Sequence, residues 1–291
     1  MNRLSASKDR HAMQSSRHYR PQSRLDATSF DAVSTLTGEL SQYRSHISTM
    51  FAGDFRSSYR GTVLGVVWNF VLPLVPITVY ILLVSLKVFP RYDGLAPAVY
   101  ISFNVTMWML LTGMITRPMQ VVMSRNQETM KTAMPMSVAI TSSFAQLCFD
   151  TLVRLALVAA LVVAFGQWPQ LNIVPFLLSL VTGLAFCLAL GLTLAIFNVI
   201  YPDVDRITNI VLQYGLFLSG VIFPVATLGP LSVLENLNPF NVFIRTTRDY
   251  MFIGADTHPG TLWLWTAVAF IVFLISVRFF YIMEHRIREA V

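Results

Sequence analysis

The sequence has few charged residues: Asp, Glu, Lys and Arg occupy only 12% of its 291 positions. Soluble domains carry about twice that share, so too few charges are present to cover a water-facing surface, which excludes an ordinary soluble enzyme. A disordered chain is excluded as well, because 55% of the residues are hydrophobic and 21 are Phe. A composition this apolar predicts several membrane spans.

Catalytic and metal-binding patterns are also scarce. Neither the five histidines nor the two cysteines, Cys148 and Cys187, show an HExxH pattern or a Cys/His ligand spacing, so no metal site is predicted. None of the three lysines follows a glycine, which excludes a Walker A phosphate loop. We therefore expect no cofactor in this chain, and ATP-driven work would require a partner subunit that binds ATP and Mg²⁺.

Two polar segments precede the first apolar run. Residues 1–29 are rich in Arg and Ser and predict a disordered cytoplasmic tail, although a transit peptide fits the same composition. In residues 30–59, apolar side chains recur every three or four positions, which predicts an amphipathic helix. This helix is too polar to cross a bilayer, so we expect it to lie at the membrane interface; a soluble coiled-coil helix is the alternative.

Residues 60–291 are predicted to form an all-α integral membrane domain with six transmembrane helices. Each of six apolar runs is long enough to cross a hydrocarbon core of about 30 Å. The runs lie at 61–86, 95–116, 139–165, 173–200, 207–227 and 261–282. The segment 228–260 is too apolar for a free loop, and we expect short re-entrant helices there, before the last span.

The distribution of positive charge predicts the orientation of these spans. Six spans place both termini on the same side of the membrane. Lys and Arg number sixteen on that side and four on the other. Because cytoplasmic loops carry the excess of positive charge, both termini are predicted to be cytoplasmic.

The third predicted span contains two ionisable residues, Asp150 and Arg154. They are four positions apart, so they share one helix face and can pair. Ionisable groups within spans are costly and usually face a protein interior or a watery cavity. The pair is interpreted either as a structural pair near the inner interface or as a charge on a transport pathway. No relay of spaced carboxylates follows in the other spans, which argues against a proton- or sodium-coupled transporter.

The start of the first span carries a basic and aromatic opening, a Leu-Gly pair, a Trp and a nearby Pro. These residues are Tyr59, Arg60, Leu64, Gly65, Trp68 and Pro73. The pattern resembles the first span in membrane (permease) subunits of polysaccharide-exporting ABC transporters. Members of that family export O-antigen, capsule or teichoic-acid chains.

Later blocks resemble the same family in the same order. Residues 201–204 resemble the turn before its fifth span, with Pro202 in place of the usual arginine. Residues 219–224 and 238–240 resemble its Ser-Pro-x-hydrophobic-aromatic-Pro and Asn-Pro-hydrophobic segments. The resemblance covers about residues 35–285 and leaves only the tail outside.

The polar segment after the second span resembles the family's cytoplasmic loop, in which a short coupling helix meets the ATPase. The residues that resemble this ATPase-coupling loop are Asn126, Gln127, Glu128, Lys131 and Pro135. The family's hydrophobic-Lys-Lys run is reduced here to Lys131 alone.

The resemblance implies a homodimer around a central channel, with ATP-binding-cassette subunits docked on its cytoplasmic side. It also implies that a lipid-linked polysaccharide moves outward across the bacterial cytoplasmic (inner) membrane, in contact with membrane lipids and with no nucleic-acid partner. Aromatic faces suit the C–H faces of sugar rings, and Phe103 and Trp108 in the second span are interpreted as possible channel aromatics.

Two alternatives remain open from the sequence. One is an ABC exporter of lipid or drug with the same fold. The other is a membrane-embedded enzyme that modifies glycans or lipids, for which Asp203, Asp205 and Arg206 are the only compact candidate site. No histidine lies near these three residues in the sequence, which argues against the enzyme.

The topology can be tested with single cysteines in a chain whose Cys148 and Cys187 are replaced by serine. Gln127→Cys should react with a membrane-impermeant maleimide only after cells are opened, because its loop is predicted to be cytoplasmic. Gly94→Cys should react on intact cells, because the first loop is predicted to lie outside. Labelling of Gln127→Cys on intact cells, with protection of Gly94→Cys, would contradict the six-span arrangement.

Overall fold

A computed structural model describes six stretches of the chain: residues 27–59, 67–86, 94–129, 135–227, 229–256 and 258–290. Within them the regular secondary structure is helical. The α-helices are α1 (Ser29–Gln42), α2 (Arg44–Tyr59), α3 (Trp68–Ser85), α4 (Pro97–Thr129), α5 (Met136–Ala164), α6 (Ile173–Ile200), α7 (Asp203–Leu218), α8 (Leu234–Leu237), α9 (Pro239–Phe252) and α10 (Pro259–Ala290). Two 3₁₀ helices, Val225–Thr227 and Gly229–Val233, precede α8.

Four helices of the described chain are long and apolar enough to cross a membrane. They are α4 over Pro97–Ser124, α5, α6, and α10 over Pro259–Glu284. These helices coincide with the second, third, fourth and sixth predicted spans, so the chain is a multi-pass membrane protein. The first predicted span overlaps α3, of 18 residues, and the fifth overlaps α7, of 16 residues; for these two, the span stays a prediction.

Helix α4 is the axis of the bundle. Of its most apolar stretch, 78% is buried inside the subunit, against 22–28% for α5, α6 and α10. Helices α5, α6 and α9 pack around it. The outer faces of the peripheral spans therefore remain available to lipid or to another subunit.

The helix of the second span continues beyond the apolar run that predicted it. It passes Pro118 and ends at Thr129. Proline has no N–H, so Pro118 cannot donate the helical hydrogen bond that the Met114 carbonyl would accept. Gly191 of α6 covers this carbonyl: a Cβ at position 191 would lie 2.5 Å from the Met114 oxygen. Close packing by a neighbouring helix is how spans tolerate internal proline.

The predicted interface helix is divided in two at Tyr43, which separates α1 from α2. A capping box begins α1, in which Thr28 Oγ1 accepts from Asp31 N–H and the Asp31 carboxylate accepts from Thr28 N–H. Hydrogen bonds from the Thr28 side chain and backbone lower the pKa of Asp31. Along α2, the Phe55 ring meets the Phe149 ring of α5 edge-on, with centroids 4.9 Å apart. Both helices thus pack on α5, while their place at a membrane interface stays a prediction.

Short helices occupy the segment before the last span, as the sequence predicted for 228–260. They are the 3₁₀ helix Gly229–Val233, α8 and α9. Their re-entrant position in a bilayer stays a prediction. The predicted tail falls almost entirely on residues 1–26, which lie outside the described residues.

The contact of α6 with α4 can be tested by Gly191→Ala. The added methyl would meet backbone atoms of Met114 and Ile115 within 2.9 Å, so one helix must shift. We expect a loss of about 1–3 kcal/mol of stability, measured by thermal unfolding in detergent. Gly38→Ala in α1 is the matched control, because a Cβ there meets nothing within 4 Å. Equal stability of the two variants would contradict the close approach.

Candidate functional site

The first turn of α5 follows directly on the predicted coupling loop and is held from two sides. Pro135 precedes the helix and provides no side-chain cap. Met136 N–H donates to Glu284 Oε1 at 2.7 Å, and the Ser137 hydroxyl donates to Glu39 Oε2 at 3.3 Å. Glu284 belongs to the last helix and Glu39 to α1. Carboxylates are favourable here, because the first N–H groups of a helix lack acceptors and carry partial positive charge.

A second polar site joins the second and third spans. Arg117 of α4 forms an ion pair with Asp150 of α5, with Nη2 and Oδ2 3.4 Å apart. Gln146 Nε2 donates to the other carboxylate oxygen at 3.0 Å. Arg154 lies one turn further along α5, and its Nε is buried without a hydrogen-bond partner among the described residues. The sequence did not anticipate Arg117, which is 33 positions from Asp150, and the pairing of Asp150 with Arg154 stays a prediction.

At the opposite end of α4, buried polar side chains hold the loop after α7. Tyr100 Oη donates to the Gly220 carbonyl at 3.0 Å, and Asn104 Nδ2 donates to it at 3.1 Å. Gly220 has φ +65°, a left-handed conformation that favours glycine. A Cβ there would also clash with Asn241 Oδ1. The Ser219–Pro224 block is therefore a turn whose backbone is bound by the central helix.

The Asn-Pro-Phe block has an equally local role, since it starts α9. Asn238 Oδ1 accepts from Phe240 N–H at 3.0 Å, and Pro239 takes the first helical position. This is the usual chemistry of a helix start. The Asn238 amide also donates to the Leu218 carbonyl and to Ser219 Oγ. Two blocks that resemble the transporter family thus contact each other.

Arg245 of α9 is the hub of a buried charge cluster, with 7% of its side chain exposed. Its guanidinium lies 3.3 Å from Asp256 and 3.8 Å from Glu235. It also lies 2.9 Å from His258 Nδ1, and it donates to Thr261 Oγ1 at 3.3 Å. These partners come from α8, the loop after α9 and the start of α10. Arg245 therefore ties the short helices to the last span.

A neighbouring cavity of about 230 Å³ is lined by the same helix. Arg248 donates to Asp249 Oδ1 at 2.7 Å and stacks over the Tyr100 ring, 4.4 Å from its centroid. Burial raises the pKa of the Asp249 carboxyl, while the charge of Arg248 opposes that rise. Arg248, Asp249 and Tyr100 thus join α9 to α4 through an ion pair and a cation–π contact. These three residues do not combine a nucleophile with a neighbouring base.

The two proposed channel aromatics lie inside the subunit. Phe103 is 0% exposed and packs edge-on against Phe252, with ring centroids 5.4 Å apart. Trp108 is 6% exposed and packs against Phe240. Stacking on a sugar in a channel between subunits requires an exposed ring face. Within the single subunit both rings are packed against other aromatic rings, and their role in a channel stays a prediction.

The other predicted site residues are divided between the described and undescribed parts of the chain. Asn126, Gln127 and Glu128 lie in the last turn of α4, so the coupling segment begins as a continuation of the second span. Tyr59 ends α2, and Trp68 begins α3 with 39% exposure. Outside the described residues lie Arg60, Leu64, Gly65 and Lys131. No group of three His, Cys, Asp or Glu in the described stretches is placed to hold a metal ion.

The sequence interpretation missed Glu39, Glu284, Arg117 and Arg245 as contact-forming residues. Each has other charged residues in its own helix, so charge alone does not mark it. Their partners are distant in sequence, so spacing rules for a single helix do not find them.

Comparison with known proteins agrees with this architecture. The family model of the ABC-2 type transporter matches residues 45–252. The chain belongs to the ABC-2 type transporter family. This ABC-2 chain is therefore a transmembrane subunit of an ABC transporter, and the match includes the central helix, the Gly220 turn and Arg245 itself.

A curated relative extends the comparison. The chain is 27% identical over 226 residues to the O-antigen export system permease protein RfbA of Myxococcus xanthus. The aligned part covers 75% of this ABC-2 chain and 83% of the relative. The similarity thus spans most of both proteins rather than one shared segment.

The Arg245 hub predicts a large stability effect. Arg245→Met keeps an unbranched side chain but leaves the carboxylates of Asp256 and Glu235 without this charge. We expect a loss of about 3–5 kcal/mol, because one partner of a buried ion pair is removed. Thermal unfolding in detergent measures the loss. Adding Asp256→Asn should recover part of it, whereas additive losses in the double variant would contradict the pairing.

Proposed function

We propose that this chain is the transmembrane subunit of an ABC exporter that moves lipid-linked polysaccharide, of the O-antigen kind, across the cytoplasmic membrane. The observation that carries the proposal is the similarity to the O-antigen export permease over 75% of the chain. The ordered blocks at the first span, the Gly220 turn and the Asn238 cap support it. In this proposal a separate ATP-binding-cassette subunit binds ATP and Mg²⁺, and both termini are cytoplasmic.

The ATPase is proposed to dock on residues 126–135. Helix α4 contributes the first part of this segment, and Pro135 precedes α5. Both helices are spans that pack against each other. A soluble motor that moves this short connection would therefore act on the buried axis of the bundle and on its neighbour together.

A second copy of the chain is proposed to complete the channel. Helix α7 presents a row of exposed apolar side chains in the single subunit. The row consists of Ile207, Ile210, Val211, Tyr214, Phe217 and Leu218. Their exposure suits contact with membrane lipids, with the partner copy and with the channel between the two copies, each on a different part of the helix.

The glycan is proposed to thread through this channel instead of occupying a closed pocket. Ligand pockets hold about 300–1,000 Å³, which is too small for a long polymer. Threading favours weak, repeated contacts, and stacking on aromatic faces provides them without selecting one sugar. Exposed rings such as Tyr214, at 63%, and Phe217, at 43%, suit this role better than the buried Phe103 and Trp108.

Deletion of the gene in the native host tests the proposal. We expect surface glycan to fall to background and the lipid-linked glycan to accumulate where only opened cells expose it to a glycan-specific lectin, because its exit path is missing. Reintroducing the chain should restore surface glycan, and the purified chain alone should hydrolyse no ATP. Unchanged surface glycan, together with loss of lipid or drug efflux, would instead support the exporter of another cargo.

A further inference from the structure

The hydrogen-bond acceptor at the start of α5 is provided by a residue of the last helix, α10. Glu284 reaches from the last turns of α10 and accepts from Met136 N–H at 2.7 Å. In most helices, a side chain just before the helix fills this place. Pro135 has no such group. Pro135 therefore provides no local cap for α5, and Glu284 of the last span provides one instead.

Burying the carboxylate of Glu284 costs free energy. Only 1% of its surface is exposed, which makes it one of the largest fully buried side chains. A buried carboxylate is tolerated when hydrogen bonds and favourable charge replace its water. The N–H groups at the α5 start provide both, because they carry the positive end of the helix dipole. The position of Glu284 and that of the α5 start therefore depend on each other.

Glu39 adds a second connection at the next residue. Its carboxylate accepts from the Ser137 hydroxyl at 3.3 Å, and its helix α1 packs against α5 and α10. Helices α1 and α10 therefore contact α5 at two consecutive residues, Met136 and Ser137. These residues stand immediately after the segment proposed to dock the ATPase.

We propose that Glu284 is a positioning residue that couples the ATPase-docking segment to the last span. Met136 directly follows Pro135, the last residue of that segment, so the hydrogen bond to Glu284 passes a displacement of Pro135 to α10. Glu39 passes it to α1 in the same way. The inference rests on the proposed function, since it assigns a route for force from the ATPase that the proposed function requires.

The test compares two substitutions in the intact transporter complex. Glu284→Ala removes the acceptor, whereas Glu284→Gln keeps a carbonyl oxygen that can accept from Met136 N–H. Glu289→Ala is the matched control: it removes the same charge from the same helix, and Met136 keeps its acceptor. Inverted membrane vesicles containing the host's own lipid-linked glycan are supplied with ATP. Glycan that becomes protected from added glycosidase is then measured per ATP hydrolysed.

For Glu284→Ala we expect the complex to co-purify with its ATPase, while protected glycan per ATP falls about fivefold or more, the range of a typical coupling between sites. Glu284→Gln and Glu289→Ala should stay near the unsubstituted ratio. A Glu284→Ala complex that unfolds at lower temperature but keeps the unsubstituted ratio would overturn the inference and leave a purely structural role. An equal fall for Gln and Ala would also overturn it.

The two proposals fail in different ways. If the chain does not export glycan, vesicles with the unsubstituted complex show no ATP-dependent protection, and the proposed function itself is contradicted. If they do show protection and Glu284→Ala preserves its yield per ATP, only the positioning role of Glu284 is contradicted. Glu39→Gln and Glu39→Ala extend the comparison to α1. Glu39→Ala should lower the protected glycan per ATP more than Glu39→Gln does. The difference should be smaller than at Glu284, because the 3.3 Å contact is longer.

Discussion

The contact between α4 and α6 at Met114 and Gly191 is the constraint around which the bundle is arranged. A bilayer offers no water to satisfy backbone groups, so a carbonyl released by proline must be covered by protein. Pro118 releases such a carbonyl in the most buried of the four spans, and the lack of a side chain at Gly191 lets the α6 backbone approach it closely. With α6 fixed against α4 in this way, α5 and α9 pack on the same central helix.

Polar side chains then fix both ends of this apolar assembly. At one end, Tyr100 and Asn104 bind the Gly220 carbonyl, and Arg245 joins the short helices to α10. At the other end, Glu284 binds the start of α5. Helix packing in membranes gains little from hydrophobicity alone, so hydrogen bonds and close contacts determine which arrangement forms. The functional elements of the transporter are consequently held by a few specific polar bonds.

The sequence predicted the parts of this structure that depend on local chemistry. Long apolar runs located α4, α5, α6 and α10. It could not assign the faces of Phe103 and Trp108, because a helix that is apolar all round carries no directional pattern. It also could not pair Asp150 with Arg117 or Met136 with Glu284, since those contacts join residues brought together only by the tertiary fold.

The lengths of the four spans have a consequence for the membrane in which the transporter works. The four spanning helices are 26 to 29 residues long and rise about 39–44 Å along their axes, whereas a hydrocarbon core is about 30 Å thick. Upright helices of this length would project into the headgroup layers, so tilt relative to the bilayer normal is the inexpensive adjustment. The thickness of the bilayer then affects how far α5 and α10 tilt from the bilayer normal. Because lipid composition sets the thickness of the bilayer, it influences the tilt of the spanning helices.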